Sequence, residues 1–204
     1  LAGDLVPALE AIGSTKNLPL FWDELKTEDD VGKFVNFTFK ISGGKEKSRL
    51  HGDGSQRDLG SWQTIIMAAS NDSLIDHITR KTKTTTAGIY RVLEYVVSPA
   101  GPNAVKLEAG LVSRTVGELS QNFGQAGLVY ATHLGNNEPA IRAMVGQLQD
   151  ALNKQLNAQT DERFWIANIA CCVAGSILAN RLGLTNIDVN ALTTFLIKAV
   201  MDMR

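Results

Sequence analysis

The sequence predicts an α/β sheet domain followed by an all-helical C-terminal domain. Residues 18–22 and 62–69 are apolar runs that end at polar residues, as the buried strands of such a sheet do. A third run, residues 90–97, is rich in β-branched and aromatic side chains and predicts another strand. Beyond Pro99, apolar residues recur at helical spacing. We therefore expect a domain boundary after residue 98.

The segments around these strands have signals of their own. Residues 6–12 predict a short helix, with Pro7 in its first turn and Gly13 at its end. Residues 29–40 carry apolar side chains at helical spacing and predict an amphipathic helix. The polar, glycine-rich residues 43–55 predict a loop with a short hairpin. The first domain is therefore expected to join its strands by helical and irregular crossovers.

The C-terminal half contains three helix signals. Pro139 can begin a helix whose apolar stripe runs for several turns. Thr160 can cap a second helix, and Gly183 lies just past its predicted end. Asp188 can cap a third helix. These signals predict a helical bundle over residues 99–204.

The composition is that of an ordinary globular chain. It has 204 residues, 44% of them hydrophobic, and a formal net charge of −1. No run of about 18 uncharged apolar residues occurs and the first residues have no signal-peptide pattern, so we expect a cytoplasmic location and no membrane partner. The only cysteines, Cys171 and Cys172, are adjacent in an apolar stretch and are expected to be buried thiols.

An acidic pair follows the first predicted strand. A carboxylate at a strand tip can hold Mg²⁺ through water, because this hard cation prefers oxygen ligands, and Asp23 fits that role. A neighbouring carboxylate can orient and deprotonate a water that attacks a phosphate, and Glu24 fits that one. A strand that ends in a solvated acidic loop would show the same pattern, since residues 28–30 are acidic as well.

A neutral amide, Asn71, follows the second predicted strand. If the two strands are neighbours, Asn71 can hydrogen-bond the attacking water or the γ-phosphate without adding charge. An asparagine after a strand is also a common turn residue. Taken together, the two strand ends indicate a catalytic pair at one edge of the sheet.

These strand ends and the segments after them resemble a known family. Residues 18–25 (LPLFWDEL) resemble the Walker B element of AAA+ and RecA-like ATPases, and residues 64–74 (TIIMAASNDSL) resemble their sensor 1. Residues 87–95 (AGIYRVLEY) resemble the arginine-bearing strand of phage and prophage primase-helicase proteins, which are superfamily 3-like ATPases. Segments of the helical tail, residues 122–127, 161–165 and 182–184, are similar to the same proteins.

The resemblance implies a P-loop NTPase fold and an activity. Residues 1–98 would form a partial ATPase core, and residues 99–204 a lid-like helical domain. ATP and Mg²⁺ would be the cofactors, with Asp23, Glu24 and Asn71 as catalytic residues. Asp23 would hold the Mg²⁺ through water.

One motif of this family does not occur in the sequence. No G-x-x-x-x-G-K-[ST] segment is present anywhere in the 204 residues. The backbone N–H groups and the lysine of that motif grip the phosphates of the nucleotide, so tight binding is not expected without them. We therefore interpret the chain as a C-terminal fragment of a longer protein and expect it to be inactive alone.

Arginines follow the second strand. Between His77 and Arg91 there are four basic residues and no acidic one. In ring-forming relatives an arginine near here reaches the γ-phosphate bound by a neighbouring subunit, because its planar guanidinium bonds phosphate oxygens bidentately. The resemblance assigns this role to Arg91, with Arg80 as the alternative. A surface arginine, or a salt bridge to Glu94 or Asp76, would explain the same residues.

Basic residues also occur in the glycine-rich loop. Lys45, Lys47 and Arg49 are expected to contact the DNA backbone, since a basic loop that faces a pore can follow phosphates. A loop that is basic only for solubility would have the same composition.

The expected function is that of a fragment of an ATP-dependent DNA helicase or translocase of phage-type replication. Its partners would be DNA, single-stranded by expectation, and further copies of the parent protein in a ring. Two alternatives remain open. One is an ATP-driven DNA packaging motor, and the other is a catalytically silent DNA-binding or interaction module that retains an ATPase-like shape.

Overall fold

The chain divides into two compact units. The computed structural model describes residues 12, 16–25, 27–45, 61–81, 86–97 and 108–204. The first unit is Leu1–Val92 and the second is Leu93–Arg204. The expected domain boundary at residues 98 and 99 lies outside the described residues, as does nearly all of the helix predicted for residues 6–12.

The fold is mixed α/β and mostly helical, with a small parallel sheet of two strands in the described part of the chain. The strands are β1 (Leu20–Leu25) and β2 (Ile66–Ser70). The helices described in the first unit are α1 (Glu28–Ile41), α2 (Leu74–Lys81) and α3 (Thr86–Ile89). Those of the second unit are α4 (Ala109–Leu119), α5 (Gln125–Asn136), α6 (Glu138–Leu156), α7 (Arg163–Arg181) and α8 (Val189–Met203).

The first two predicted strands exist, with shifted ends, but the expectation that they are buried is wrong. Phe21 in the first is 67% exposed and Met67 in the second is 50% exposed. The strand predicted for residues 18–22 is β1, which starts at Leu20 and continues through the acidic pair to Leu25. The strand predicted for residues 62–69 is β2, which begins only at Ile66. The two strands pair in parallel, with Leu20 opposite Ile66 and Leu25 opposite Ser70.

Helix α1 confirms the amphipathic helix predicted for residues 29–40 and holds the sheet in place. Its inner face contributes Phe34 and Phe37, which are 4% and 0% exposed. Trp22 of β1 packs edge-on against both rings, with centroid distances of 5.6 Å to Phe34 and 5.7 Å to Phe37. Edge-to-face packing of this kind is favourable beyond the area it buries. The end of α1 is fixed by Trp62, whose indole Nε1 donates to the Ile41 carbonyl at 2.8 Å.

The third predicted strand, over residues 90–97, is wrong. Tyr90 and Arg91 lie in a turn, and residues 92–97 have no regular secondary structure. Part of this segment packs on a helix instead: the Glu94 N–H donates to the Met203 Sδ, and the Tyr95 ring meets Phe195 of α8 edge-on at 5.4 Å. The next two valines are 84% and 81% exposed, so their β-branched side chains do not mark a buried strand.

The second unit is helical, as predicted. Helix α6 has Pro139 in its first turn and buries Leu152 and Leu156. Helix α7 packs between α6 and α8 and contributes the largest buried side chain of the unit, Trp165. Asp188 caps α8 as expected, accepting from the Ala191 N–H at 3.0 Å.

The start of α7 differs in detail from the prediction. Residues Thr160–Glu162 form a 3₁₀ turn whose cap residue is Gln159, and α7 itself begins after Glu162, so Thr160 does not cap the helix. Glu162 accepts from the Gln159 N–H at 2.8 Å, which completes a capping box. Gly183 lies beyond the end of α7, as predicted, with the positive φ of 70° that favours glycine at this position.

Helices α4 and α5 expose large apolar side chains. Helix α4 presents Val116 and Leu119, which are 61% and 60% exposed, and Leu128 of α5 is 70% exposed.

Cys171 and Cys172 on α7 are exposed as well, so the prediction of buried thiols is wrong. Helix α7 is apolar around most of its circumference, and its sequence therefore does not reveal which face packs against the neighbouring helices.

One segment, Thr160–Arg181, is long and apolar enough to cross a membrane by length and composition, judged over the described residues. Half of its most apolar stretch is buried inside the protein. A core helix of a soluble protein has this composition too, and the burial is consistent with that interpretation.

A buried ion pair joins the two ends of the α7–α8 hairpin. Glu162, just before α7, is 4% exposed, and Arg204, just after α8, donates to both of its carboxylate oxygens at 2.7 Å. These hydrogen bonds hold the pKa of Glu162 below its usual range, with a smaller contribution from the Gln159 N–H and against the opposing effect of burial. The bidentate geometry is the strongest form of an arginine–carboxylate contact.

Replacing Arg204 by alanine should lower the free energy of unfolding by about 2–3 kcal/mol, because the buried carboxylate loses its charge-assisted hydrogen bonds. Urea denaturation of the two proteins measures the difference. Since the folded-state pKa of Glu162 is lowered, the contribution is present above the ordinary pKa and is lost as the pH falls through the lowered one. The difference between the proteins should therefore shrink below about pH 4.3.

A matched control is available on α6. Arg142 donates to Glu138 at 2.6 Å, but both side chains are exposed. Arg142→Ala should cost less than about 1 kcal/mol, because solvent screens an exposed pair. Equal losses in the two variants would contradict a special role for the buried pair.

Candidate functional site

The candidate residues at the two strand ends share one edge of the sheet. Because β1 and β2 run parallel and Leu25 lies opposite Ser70, the backbones of Asp23 and Glu24 lie beside the end of β2, where Asn71 follows directly. Asn71 is exposed. The side chains of Asp23 and Glu24 are outside the described part of the structure. The backbone thus brings the three residues to one edge, as the sequence predicted for neighbouring parallel strands.

The acidic pair lies at an irregularity of the strand. Trp22 pairs with Ala68 and Leu25 with Ser70, so β1 uses three steps where β2 uses two. One extra residue is therefore accommodated in β1 between Trp22 and Leu25, as a β-bulge or a similar irregularity of the pairing. Bulges bend the strand, redirect side chains and recur beside active sites. Asp23 and Glu24 are the two residues inside this interval.

The beginning of α1, just after β1, satisfies its own backbone groups. Thr27 Oγ1 accepts from the Asp30 N–H at 3.1 Å, and Asp30 Oδ2 accepts from the Thr27 N–H at 3.1 Å. This reciprocal pattern is a capping box, and the aspartate also places negative charge at the positive end of the helix dipole. The N-terminus of α1 is therefore already capped and is not an open anion site.

Negative charge dominates the sequence around this edge. Besides Asp23 and Glu24, acidic residues occur at 28–30 in the first turn of α1, where Asp29 pairs with Lys33 at 2.7 Å. Asp72 follows Asn71 and is exposed. An uncompensated phosphate would be repelled here, whereas a divalent cation would be attracted. The side chains that the structure describes do not include those of Asp23 and Glu24. Among the described side chains, no group of three His, Cys, Asp or Glu residues is arranged to hold a metal.

A serine hydroxyl connects the two strand ends. Ser70 Oγ lies 3.5 Å from the Leu25 carbonyl oxygen, to which it donates, and accepts from the Asp72 N–H at 3.3 Å. The sequence alone does not single out Ser70, because a serine at the end of a strand is common and its cross-strand contact depends on the register. The T-x-x-D spacing of the capping box at Thr27 and Asp30 was a readable signal that the prediction of this helix missed.

The two candidate arginines differ in exposure. Arg80 lies on α2 and is exposed. Arg91 follows α3 in a turn and is partly buried. Its backbone N–H donates to the Gly88 carbonyl at 3.2 Å. Arg91 does not begin a strand, contrary to the prediction for residues 90–97. An arginine that acts on a neighbouring subunit must be accessible, and Arg80 meets that requirement better.

Only part of the basic loop is described. Lys45 is exposed and forms an isolated antiparallel bridge with Ser61, next to a hydrogen bond of 3.0 Å from the Trp62 N–H to the Gly44 carbonyl. This bridge joins the two described residues on either side of residues 46–60. Lys47 and Arg49 lie outside the described residues, so their predicted contacts with DNA remain predictions.

Comparison with known proteins adds no relative from which a role could be transferred. No protein-family model, no curated protein and no solved structure matches the chain significantly.

Proposed function

We propose that this chain belongs to an ATP-driven DNA helicase or translocase. It would supply the residues that hydrolyse ATP but not the loop that binds the phosphates of the nucleotide. The observation that supports the proposal is the parallel pairing of β1 with β2, with the acidic pair and Asn71 at the same edge of the sheet. Catalysis of phosphoryl transfer consists mainly of positioning and charge stabilisation, so residues that converge from two strand ends are suited to it.

Each residue has a distinct role in the proposed reaction. Glu24 orients the attacking water and accepts its proton, and Asn71 donates a hydrogen bond to that water or to the γ-phosphate. Asp23 would hold Mg²⁺ through water, and the acidic sequence around the edge suits a divalent cation. The cation, when bound, neutralises charge that develops on the phosphate oxygens.

The proposed partners follow from the basic residues. Arg80, which is exposed on α2, would reach the γ-phosphate held by a neighbouring subunit of a ring, with Arg91 as the alternative. Lys45, Lys47 and Arg49 would follow the phosphates of single-stranded DNA.

A second candidate function is a catalytically silent DNA-binding or interaction module. The observation that favours it is the lack of any G-x-x-x-x-G-K-[ST] segment in these 204 residues. The two candidates differ in a simple way, since only the motor site requires Glu24 as a base.

The 204-residue chain by itself should not hydrolyse ATP, because its sequence contains no G-x-x-x-x-G-K-[ST] loop to bind the phosphates. A phosphate-release assay with ATP and Mg²⁺ measures this directly. Turnover that depends on Mg²⁺ would show that the chain grips the triphosphate by residues other than those proposed.

In the full-length gene product, Glu24→Gln should abolish hydrolysis and leave ATP binding intact, because the amide keeps the shape of the side chain but cannot accept a proton. Steady-state turnover and equilibrium nucleotide binding are the two measurements. Glu28→Gln removes the same charge from the first turn of α1 and serves as the control, with turnover expected to stay within about threefold of the unchanged protein. Normal hydrolysis by the Glu24 variant would eliminate this residue as the base.

Neutralising Lys45, Lys47 and Arg49 together should weaken single-stranded DNA binding similarly for unrelated sequences. The slope of log K against log salt should fall by about 2, because each phosphate contact on a single strand accounts for about 0.7. Binding titrations at several salt concentrations measure the slope.

The control for this experiment neutralises three exposed basic residues of the second unit, Arg142, Lys154 and Lys198. The net charge changes by the same amount, so a general electrostatic effect would appear in both proteins. If the two triple variants lose the same slope, the glycine-rich loop makes no specific contact with DNA.

A further inference from the structure

Ser70 occupies the place where the two strand ends are joined. It is the last residue of β2, lies opposite Leu25, and is partly buried. Its hydroxyl donates to the Leu25 carbonyl at 3.5 Å and accepts from the Asp72 N–H at 3.3 Å. Leu25 follows Glu24 in sequence, and Asp72 follows Asn71. One hydroxyl therefore links the residue after the candidate base to the residue after the candidate amide.

This link matters because the regular ladder is interrupted just before it. Between Trp22 and Leu25 the register shifts, so the segment that contains Glu24 is not held in a continuous pattern of paired residues. The pair formed by Leu25 and Ser70 is the first one after the shift. The side-chain contact at this position adds to the backbone pairing of Leu25 with Ser70.

We propose that Ser70 is a positioning residue that sets the distance between Glu24 and Asn71, an inference that rests on the proposed ATPase function. Serine suits the task because a hydroxyl is at once a donor and an acceptor, so one short side chain can serve a carbonyl on one strand and an N–H on its own. Both contacts are longer than the usual hydrogen bond. Contacts in catalytic sites are often long without substrate and shorten in the reacting complex.

The test compares three substitutions at this position in the full-length gene product. Ser70→Ala removes the bridge, and should lower kcat by about 10- to 100-fold with little change in KM for ATP, because misplacement by a fraction of an ångström to 1 Å is that costly. Ser70→Thr keeps the hydroxyl, suits a strand, and should restore kcat to within a few-fold of the unchanged protein. A residue that only supports the fold would not give this split between kcat and KM.

A third substitution covers the possibility that the alanine variant does not fold. Ser70→Cys nearly preserves the shape of the side chain but replaces the hydroxyl by a weak donor and weak acceptor, so it should fold and still lose kcat. Circular dichroism verifies folding for all three variants. Full kcat in a folded Ser70→Ala or Ser70→Cys variant, or a Ser70→Thr variant as slow as the alanine one, would overturn the proposal.

The outcome is separable from a failure of the proposed function. If the unchanged protein does not turn over ATP, or if Glu24→Gln hydrolyses it normally, the ATPase proposal falls and the role of Ser70 falls with it. If Glu24→Gln is inactive and the Ser70 variants are fully active, only the role of Ser70 is overturned.

Discussion

The first unit depends on the parallel pairing of β1 with β2. A parallel pair cannot be closed by a tight turn, so the chain between the strands must cross over, and α1 forms part of that crossover. Trp22 is the residue through which pairing and crossover support each other, because it lies opposite Ala68 in the sheet and packs on Phe34 and Phe37 of the helix. The location of the polar strand ends follows from this pairing.

The acidic character of the sheet edge constrains the proposed chemistry. The acidic residues near it, including Asp72 and the capped first turn of α1, disfavour a bare anion. Under the proposed function, positive charge therefore has to come from Mg²⁺ and from an arginine such as Arg80. On that proposal, the site would be active only when Mg²⁺ and the arginine of a neighbouring subunit are both present. Such a requirement would link ATP hydrolysis to assembly of the ring.

The sequence predicted those elements whose signal is local. The periodicity of α1, the proline in the first turn of α6 and the cap of α8 at Asp188 are each read within a few residues, and the structure agrees with them. Features that depend on distant partners were missed. The register shift around Asp23 and Glu24 arises only on pairing with β2, and the Glu162–Arg204 ion pair joins residues far apart in the chain. The strand predicted for residues 90–97 does not form, although the segment is rich in β-branched and aromatic residues, because β-propensity depends on the surroundings of a residue.

The exposed thiols of α7 have a practical consequence. Partial desolvation of the two thiols by the neighbouring residues raises the pKa of Cys171 and of Cys172, so few thiolate ions are present at neutral pH. Since the thiolate is the nucleophile, both residues should react slowly with maleimides near pH 7 and faster under alkaline conditions. They offer two adjacent attachment points for a fluorophore on the second unit. Because few thiolate ions form at neutral pH, the purified chain should form disulfide cross-links more slowly than the exposure of its cysteines indicates.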